Sequence, residues 1–284
     1  MMTLINTFHY YWTEIADQRT NNWLLMNSMY QIPFLLIAYV YFVLRCGPRY
    51  MKNRPPYSLR TFMKFYNIFQ IIANAWLVYE HIAAGWFTKI PLTCVPVDYS
   101  YKPDPYRLAT TMWWISLLKL ADLIETGIYV LRKKYNQISF LHVYHHVSNC
   151  VFSWIYTKYV AGGMTTFITL LNCFVHVIMY TYYLLATFGP TVRKVINPIK
   201  PSITILQMVQ FTIQIIYLAQ TLLPSCPVPA VFGPVFIGNL IINLFLFYRF
   251  YRNRYIKSKN MYYCQCKLKK DLKVNVRCKC NAFM

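Results

Sequence analysis

The chain alternates between long apolar runs and short basic or proline-marked breaks. Seven runs stand out: Ser28–Leu44, Phe62–Trp86, Leu108–Leu131, Ser139–Thr157, Thr165–Phe188, Ser202–Leu223 and Val231–Tyr251. A helix needs roughly 20 such residues to cross the hydrocarbon core of a bilayer. Half-buried strands would alternate polar and apolar residues, and none of the runs does. In lipid the backbone must satisfy its own hydrogen bonds, so helices remain. The breaks carry turn signals at Gly47-Pro48, Pro55-Pro56, Gly162-Gly163, Gly189-Pro190 and Pro224 to Pro229. The pattern predicts an all-α membrane protein, a bundle of about seven transmembrane helices over residues 1–255. Residues 256–284 are polar, basic and without apolar period, which predicts a disordered tail.

Composition fits this picture. The chain is 57% hydrophobic and 13% charged, against about 25% charged residues in soluble domains. The net charge of +21 would suggest nucleic acid in a soluble domain. Here the basic residues lie between the runs and in the tail, where topology and anionic lipid headgroups account for them, so no nucleic-acid partner is expected. The first, third and fifth connections and the tail hold five, three, three and eleven Lys and Arg, or 22. The other side holds 5: Arg19, Lys89, Lys102, Arg107 and Lys158. Excess positive charge marks the cytosol, so the N terminus is expected in the lumen and the C terminus in the cytosol. Met1 to Thr13 lacks a basic start and a small-residue cleavage site, so it does not read as a signal peptide. There is no Asn-x-Ser/Thr sequon, and no internal repeat of the kind found in many transporters.

Ionisable residues inside spans are costly and usually functional. The third run holds Lys119, Asp122 and Glu125, and the fourth His142, His145 and His146. The fifth holds Asn172, His176, Tyr180 and Tyr183, and the sixth Gln207, Gln210 and Gln214. At about 100° per residue the three histidines of the fourth run share one face, with Asn149 on the same stripe. By helical rise His145 lies roughly 9 Å from the cytosolic start of its run, and His176 roughly 18 Å from the cytosolic end of its own. All these groups can therefore surround one cavity open to the cytosol. The glutamines, the tyrosines and the Lys119–Asp122 pair have a second reading, as interhelical bonds that hold the bundle. Glu80 and His81, near the lumenal end of the second run, read as interfacial.

These motifs resemble one family, the eukaryotic elongases of very-long-chain fatty acids. His142-Val143-Tyr144-His145-His146 matches its HxxHH box, and Asn172 to Tyr183, NCFVHVIMYTYY, resembles its second histidine motif. Thr204, Gln207 and Gln210 match TxxQxxQ, and Leu131 to Lys134 match the basic end of its third-span motif. Weaker matches are Asp17 with Arg19, Gly47-Pro48, Asn67, Cys94 and Val97-Asp98-Tyr99. The resemblance spans about residues 17 to 255. One departure is clear: the family pattern is usually Lys-x-x-Glu-x-x-Asp-Thr, whereas here Asp122 and Glu125 exchange the two acids before Thr126. The tail also lacks a terminal dilysine signal.

The resemblance implies a 3-oxoacyl-CoA synthase of the endoplasmic reticulum membrane. Such an enzyme condenses a long acyl-CoA with malonyl-CoA, with no cofactor and no metal. It implies His142, His145, His146 and His176 as catalytic, with His145 or His176 as the acyl carrier or all four as bases and oxyanion donors. Lys119, Asp122, Glu125, Asn172, Tyr180, Tyr183, Gln207 and Gln210 would position the substrates. Lys133, Lys134, Lys194 and Lys200 would meet CoA phosphates, or serve topology alone. Other enzymes of the elongation cycle would be partners by analogy. Cys94 and Cys226 fall in lumenal connections, where oxidation is permitted, and are expected to pair. Cys264, Cys266, Cys278 and Cys280 in the tail are expected to be reduced. Cys150 and Cys173 offer a competing nucleophile, but the family pattern does not centre on cysteine.

The alternative is a membrane di-iron desaturase or hydroxylase, which shares HxxHH but needs about eight histidines, whereas this chain has 6. A seven-span receptor gives no reason for three histidines on one face, and a transporter is disfavoured by the missing repeat.

Overall fold

The computed structural model describes residues 4–229 and 231–257. The four tail cysteines, and the tail beyond Lys257, lie outside the described residues. The described chain forms α1 (Leu4–Thr13), α2 (Gln31–Tyr41), α3 (Gly47–Met51), α4 (Arg60–Ala83) and α5 (Pro103–Leu131). These are followed by α6 (Phe140–Tyr159), α7 (Thr165–Ala186), α8 (Pro190–Ile196), α9 (Lys200–Leu218) and α10 (Phe232–Tyr251). No strand occurs among the described residues.

All seven predicted runs are helical. Four continuous rods are both long and apolar enough to cross a membrane: Gln31–Met51, Thr165–Ala186, Pro190–Leu222 and Phe232–Lys257. The other three, α4, α5 and α6, have 24, 29 and 20 residues and the length to cross. They are less apolar because they carry the internal polar groups. Gln70, Asn74 and His81 on α4, Lys119 and Asp122 on α5 and His146 on α6 are all buried in the bundle.

The long helices form a closed ring in the order α4, α5, α6, α10, α9, α7 and back to α4. α2 packs outside this ring against α6, and α3 against α5. The ring places the inner faces of six helices around one axis. The Ser139 hydroxyl accepts the His142 backbone N–H at 3.2 Å and caps α6, which fixes where the helix starts and hence which way its histidines face.

Two expected breaks are helical instead. Gly47-Pro48 is not a turn: the chain passes from α2 through a π-helical turn at Phe42–Cys46 directly into α3. Pro48 lacks an N–H and its ring would clash in a regular helix, and the widened turn before it absorbs both conflicts. The predicted loop Gly189–Pro201 is mostly α8 and a 3-10 turn leading into α9. Its prolines stand in the first turns of these elements, where no N–H is required.

At the end of the bundle away from the HxxHH helix start, a polar cap closes the ring. Arg19 pairs with Asp17 at 2.6 Å, and both side chains are almost fully buried. The guanidinium also donates to the carbonyls of Asp98 (2.8 Å), Pro105 (3.1 Å) and Ala161 (3.0 Å), tying three connections together. Beside it the Ser100 backbone N–H donates to the exposed Asp98 carboxylate at 2.8 Å, holding that carboxyl below the usual range. Lys158 is buried in the last turn of α6, donating to Asn21 Oδ1 (2.6 Å) and the Met26 carbonyl (2.9 Å). Cys94 and Cys226 are disulfide-bonded, with Cα atoms 5.6 Å apart. Gly163, at φ +54°, turns α6 into α7 where a Cβ would come within 2.6 Å of the Val95 carbonyl. Arg19 and Lys158, counted above among the basic residues of this side, are buried internal connectors.

Removing one member of a buried ion pair typically costs about 3–5 kcal/mol. Arg19→Met is expected to lose that much stability, read as a lowered unfolding midpoint of tryptophan fluorescence in detergent. The double variant Asp17→Asn with Arg19→Met should cost less than the sum of the two single variants.

Candidate active site

Inside the ring, α5, α6, α7, α9 and α10 enclose a cavity of about 60 Å³. Its polar wall is Lys119, Asn149, Asn172, Gln210, Gln214 and Asn239. Toward the disulfide end the wall becomes apolar and aromatic, with Ile115, Phe152, Ile168 and Phe236. The volume is far below the roughly 300–1,000 Å³ of a ligand pocket.

Lys119 anchors the polar wall. Its Nζ lies 3.3 Å from Asp122 Oδ2 and 3.5 Å from His176 Nδ1. Asp122 Oδ1 also accepts from Gln70 Nε2 (2.8 Å) and from the Tyr180 hydroxyl (3.2 Å). Gln70 in turn donates to the Tyr66 hydroxyl at 3.0 Å. One carboxylate thus gathers donors from α4, α5 and α7. An ammonium only donates, so His176 Nδ1 must accept, which leaves the proton on Nε2.

His145 carries the opposite pattern. Asn243 Oδ1 lies 3.1 Å from its Nδ1, and Asn149 Nδ2 lies 3.0 Å from its Nε2. An amide oxygen accepts and an amide nitrogen donates, so the proton sits on Nδ1 and the Nε2 lone pair points toward Asn149 on the cavity wall. Phe211 and Phe247 pack edge-on against the ring and fix it. The two rings therefore hold opposite tautomers, each accepting from a residue of the cavity wall, His145 from Asn149 and His176 from Lys119.

The remaining histidines extend the cluster toward the HxxHH end. His142 Nε2 lies 2.9 Å from Thr126 Oγ1, which lies 2.8 Å from the Tyr39 hydroxyl of α2. His142 and His146 have ring centroids 4.3 Å apart. His146 Nε2 is 3.8 Å from Glu125 Oε2, and the Tyr129 hydroxyl donates to Glu125. The two acids of α5 thus part company: Asp122 serves Lys119, while Glu125 serves the Tyr129 and His146 side.

Of the expected site residues Lys119, Asn172 and Gln210 line the chamber, whereas His142, His145, His146, His176, Asp122, Glu125 and Tyr180 do not. Gln207 points to Met179 Sδ at 3.4 Å, and Tyr183 packs in the tyrosine cluster with Tyr180 and Tyr182. Lys133, Lys134, Lys194 and Lys200 lie at the HxxHH end of the bundle, and Lys133 donates to the Lys52 carbonyl at 3.2 Å. Cys150 and Cys173 are buried, and the Cys150 thiol is directed at the Lys119 carbonyl, 3.2 Å away. Among the described residues no group of three His, Cys, Asp or Glu is arranged to hold a metal. The sequence reading missed Tyr39, Tyr66, Gln70, Tyr129, Asn239 and Asn243. A signal existed for some of them: Gln70 with Asn74, and Asn239 with Asn243, are polar pairs at i, i+4 inside apolar runs.

Comparison with known proteins gives one consistent result. The model of the ELO family, described as the GNS1/SUR4 family, matches residues 24–262. A very long chain fatty acid elongase of Aedes aegypti is 39% identical over 260 residues, covering 91% of this chain and 72% of that protein. Very long chain fatty acid elongase 7 of Drosophila melanogaster is 36% identical over 261 residues, 90% of this chain and 79% of its own length. Very long chain fatty acid elongase 4 of Homo sapiens is 38% identical over 251 residues, 88% and 79% of the two chains.

The tautomer of His145 is directly measurable. In protein labelled with 15N-histidine, Nδ1 of His145 is expected to be protonated and Nε2 unprotonated. Asn243→Ala removes the acceptor that selects this form, and the His145 signals should then report a mixture of tautomers.

Proposed function

The chain belongs to the ELO family, and from that premise we propose that it elongates fatty acids by condensing a long-chain acyl-CoA with malonyl-CoA. The products are a 3-oxoacyl-CoA two carbons longer, carbon dioxide and CoA. The observation that carries this reading is the pair of imidazoles in opposite tautomers, His145 and His176, each bonded to a residue (Asn149 and Lys119) that lines one cavity with an apolar far wall.

The steps use these groups in turn. Asn149 releases Nε2 of His145, which attacks the thioester carbonyl. CoA departs as the thiol, taking the Nδ1 proton, and a neutral acyl-imidazole remains. Malonyl-CoA then loses carbon dioxide, and the electron pair of the broken C–C bond becomes an enolate. The enolate carbon attacks the acyl carbon and releases the imidazole, which takes up one proton. The Nε2–H of His176, whose tautomer Lys119 selects, donates to the oxyanion that develops, in surroundings where such a donor is worth far more than in water. Asn172, Tyr180, Gln210 and Glu125 orient the two thioesters. Lys133, Lys134, Lys194 and Lys200 suit the CoA phosphates at the mouth, while Gln207 and Tyr183 support the wall from outside. The acyl tail follows the apolar wall toward the disulfide end.

The same reading places the protein in the endoplasmic reticulum membrane. Its N terminus and Cys94–Cys226 disulfide are lumenal, its mouth and tail cytosolic, and other enzymes of the elongation cycle lie within reach. A disulfide at the end opposite the basic connections supports this orientation. The di-iron alternative finds no ligand cluster to support it among the described residues.

Incubation of membranes with radiolabelled malonyl-CoA and a panel of acyl-CoAs tests the proposal. His145→Ala is expected to lose at least about 10³-fold in condensation rate, the scale seen when a nucleophile is removed. Cys150→Ala and Cys173→Ala should stay within about threefold of the parent. Normal activity in His145→Ala, or loss in a well-expressed cysteine variant, overturns the assignment.

A further inference from the structure

A second cavity, of about 260 Å³, opens on the outer face of the ring between α4 and α5 at the disulfide end. It shares no residue with the central chamber. Its charged rim is Glu80 and Arg107: Nε donates to Oε2 at 2.6 Å and Nη2 to Oε1 at 3.1 Å. The guanidinium lies 5.7 Å from the Tyr79 ring, and Tyr106 stands beside it on the cavity wall. Deeper in the cleft, Trp76 and Trp114 meet edge to face at 5.9 Å and remain 41% and 43% exposed. Neither indole N–H has a hydrogen-bond partner among the described residues.

These groups are layered along the helix axes. Arg107 lies four residues into α5 and Glu80 three residues from the end of α4, which puts both about 5–6 Å inside the helix ends. Trp76 is one turn further in than Glu80, about 6 Å, and Trp114 two turns further in than Arg107, about 10 Å. Charges outermost and amphipathic indoles beneath them repeat the order of a phospholipid, headgroup above ester carbonyls. The ion pair is neutral overall but strongly dipolar. Arg107 suits a phosphate, while Glu80 and the ring of Tyr106 suit an ammonium. A headgroup with net negative charge would satisfy Arg107 and be repelled by Glu80.

We propose that this cleft binds one zwitterionic phospholipid, its phosphate on Arg107, its ammonium against Glu80 and Tyr106, and its ester carbonyls on the indoles of Trp76 and Trp114. The site is independent of the condensation chemistry.

The full chain is purified in detergent, exchanged against equimolar phosphatidylcholine and phosphatidylglycerol, and examined by native mass spectrometry. One phosphatidylcholine per chain should survive activation that strips other lipid, with at least about fivefold preference over phosphatidylglycerol. Trp76→Leu, which leaves the ion pair intact on an exposed position, should lower retention by at least about fivefold. Glu80→Gln leaves Arg107 unopposed and should shift the preference toward phosphatidylglycerol. Retention unchanged in Trp76→Leu, or a parent protein that prefers phosphatidylglycerol or holds no lipid selectively, overturns the proposal. If Glu80→Gln does not fold, Trp76→Leu and the parent's selectivity decide it.

Discussion

A lysine and an aspartate buried in a membrane bundle set the conditions for everything around them. Taking two charges out of water costs several kcal/mol each after relaxation, so the pair is tolerable only with its remaining donors and acceptors filled. Lys119 and Asp122 meet that demand by drawing Gln70 from α4 and both Tyr180 and His176 from α7. The three helices cannot shift relative to one another without exposing an unsatisfied charge. The same constraint that seats the helices also selects the tautomer of His176.

The ring turns this local demand into an architecture. Six helices pointing polar stripes inward can share one interior, and the exterior can then be apolar enough for lipid. α4, α5 and α6 fall short in hydropathy because they add ionisable groups, His81, Lys119, Asp122, His146 and Lys158, to the inner wall, whereas the buried polar residues of α7, α9 and α10 are His176 and neutral amides and hydroxyls. α2 stands outside the ring, yet Tyr39 reaches through to Thr126 and on to His142. The disulfide end is closed by bonds that cross between connections, Arg19 and Lys158 foremost, whereas the HxxHH end carries most of the basic residues.

The exchange of acids on α5 finds a local account. The shorter Asp122 side chain suits a carboxylate already beside Lys119 and reached by the longer Gln70 and Tyr180 side chains. The longer Glu125 spans toward His146 while accepting from Tyr129. Each acid has its own partners, so the swap divides labour between two neighbouring clusters.

The order of apolar runs determined the seven long helices, and helical spacing alone put His142, His145 and His146 on one face, because a bilayer and a 3.6-residue period leave little freedom at that level. Prolines misled at Gly47-Pro48 and over 189–201, since a proline stops a helix or starts one according to its neighbours. What only the tertiary structure decided was partnership: that Asn243 rather than another amide holds His145, that Gln207 turns away while Gln210 lines the cavity, and that Arg19 and Lys158 are ties instead of topology signals. Such choices depend on which two helices touch and at what height. A sequence fixes the face a residue occupies on its own helix, but not the face that a neighbour presents to it.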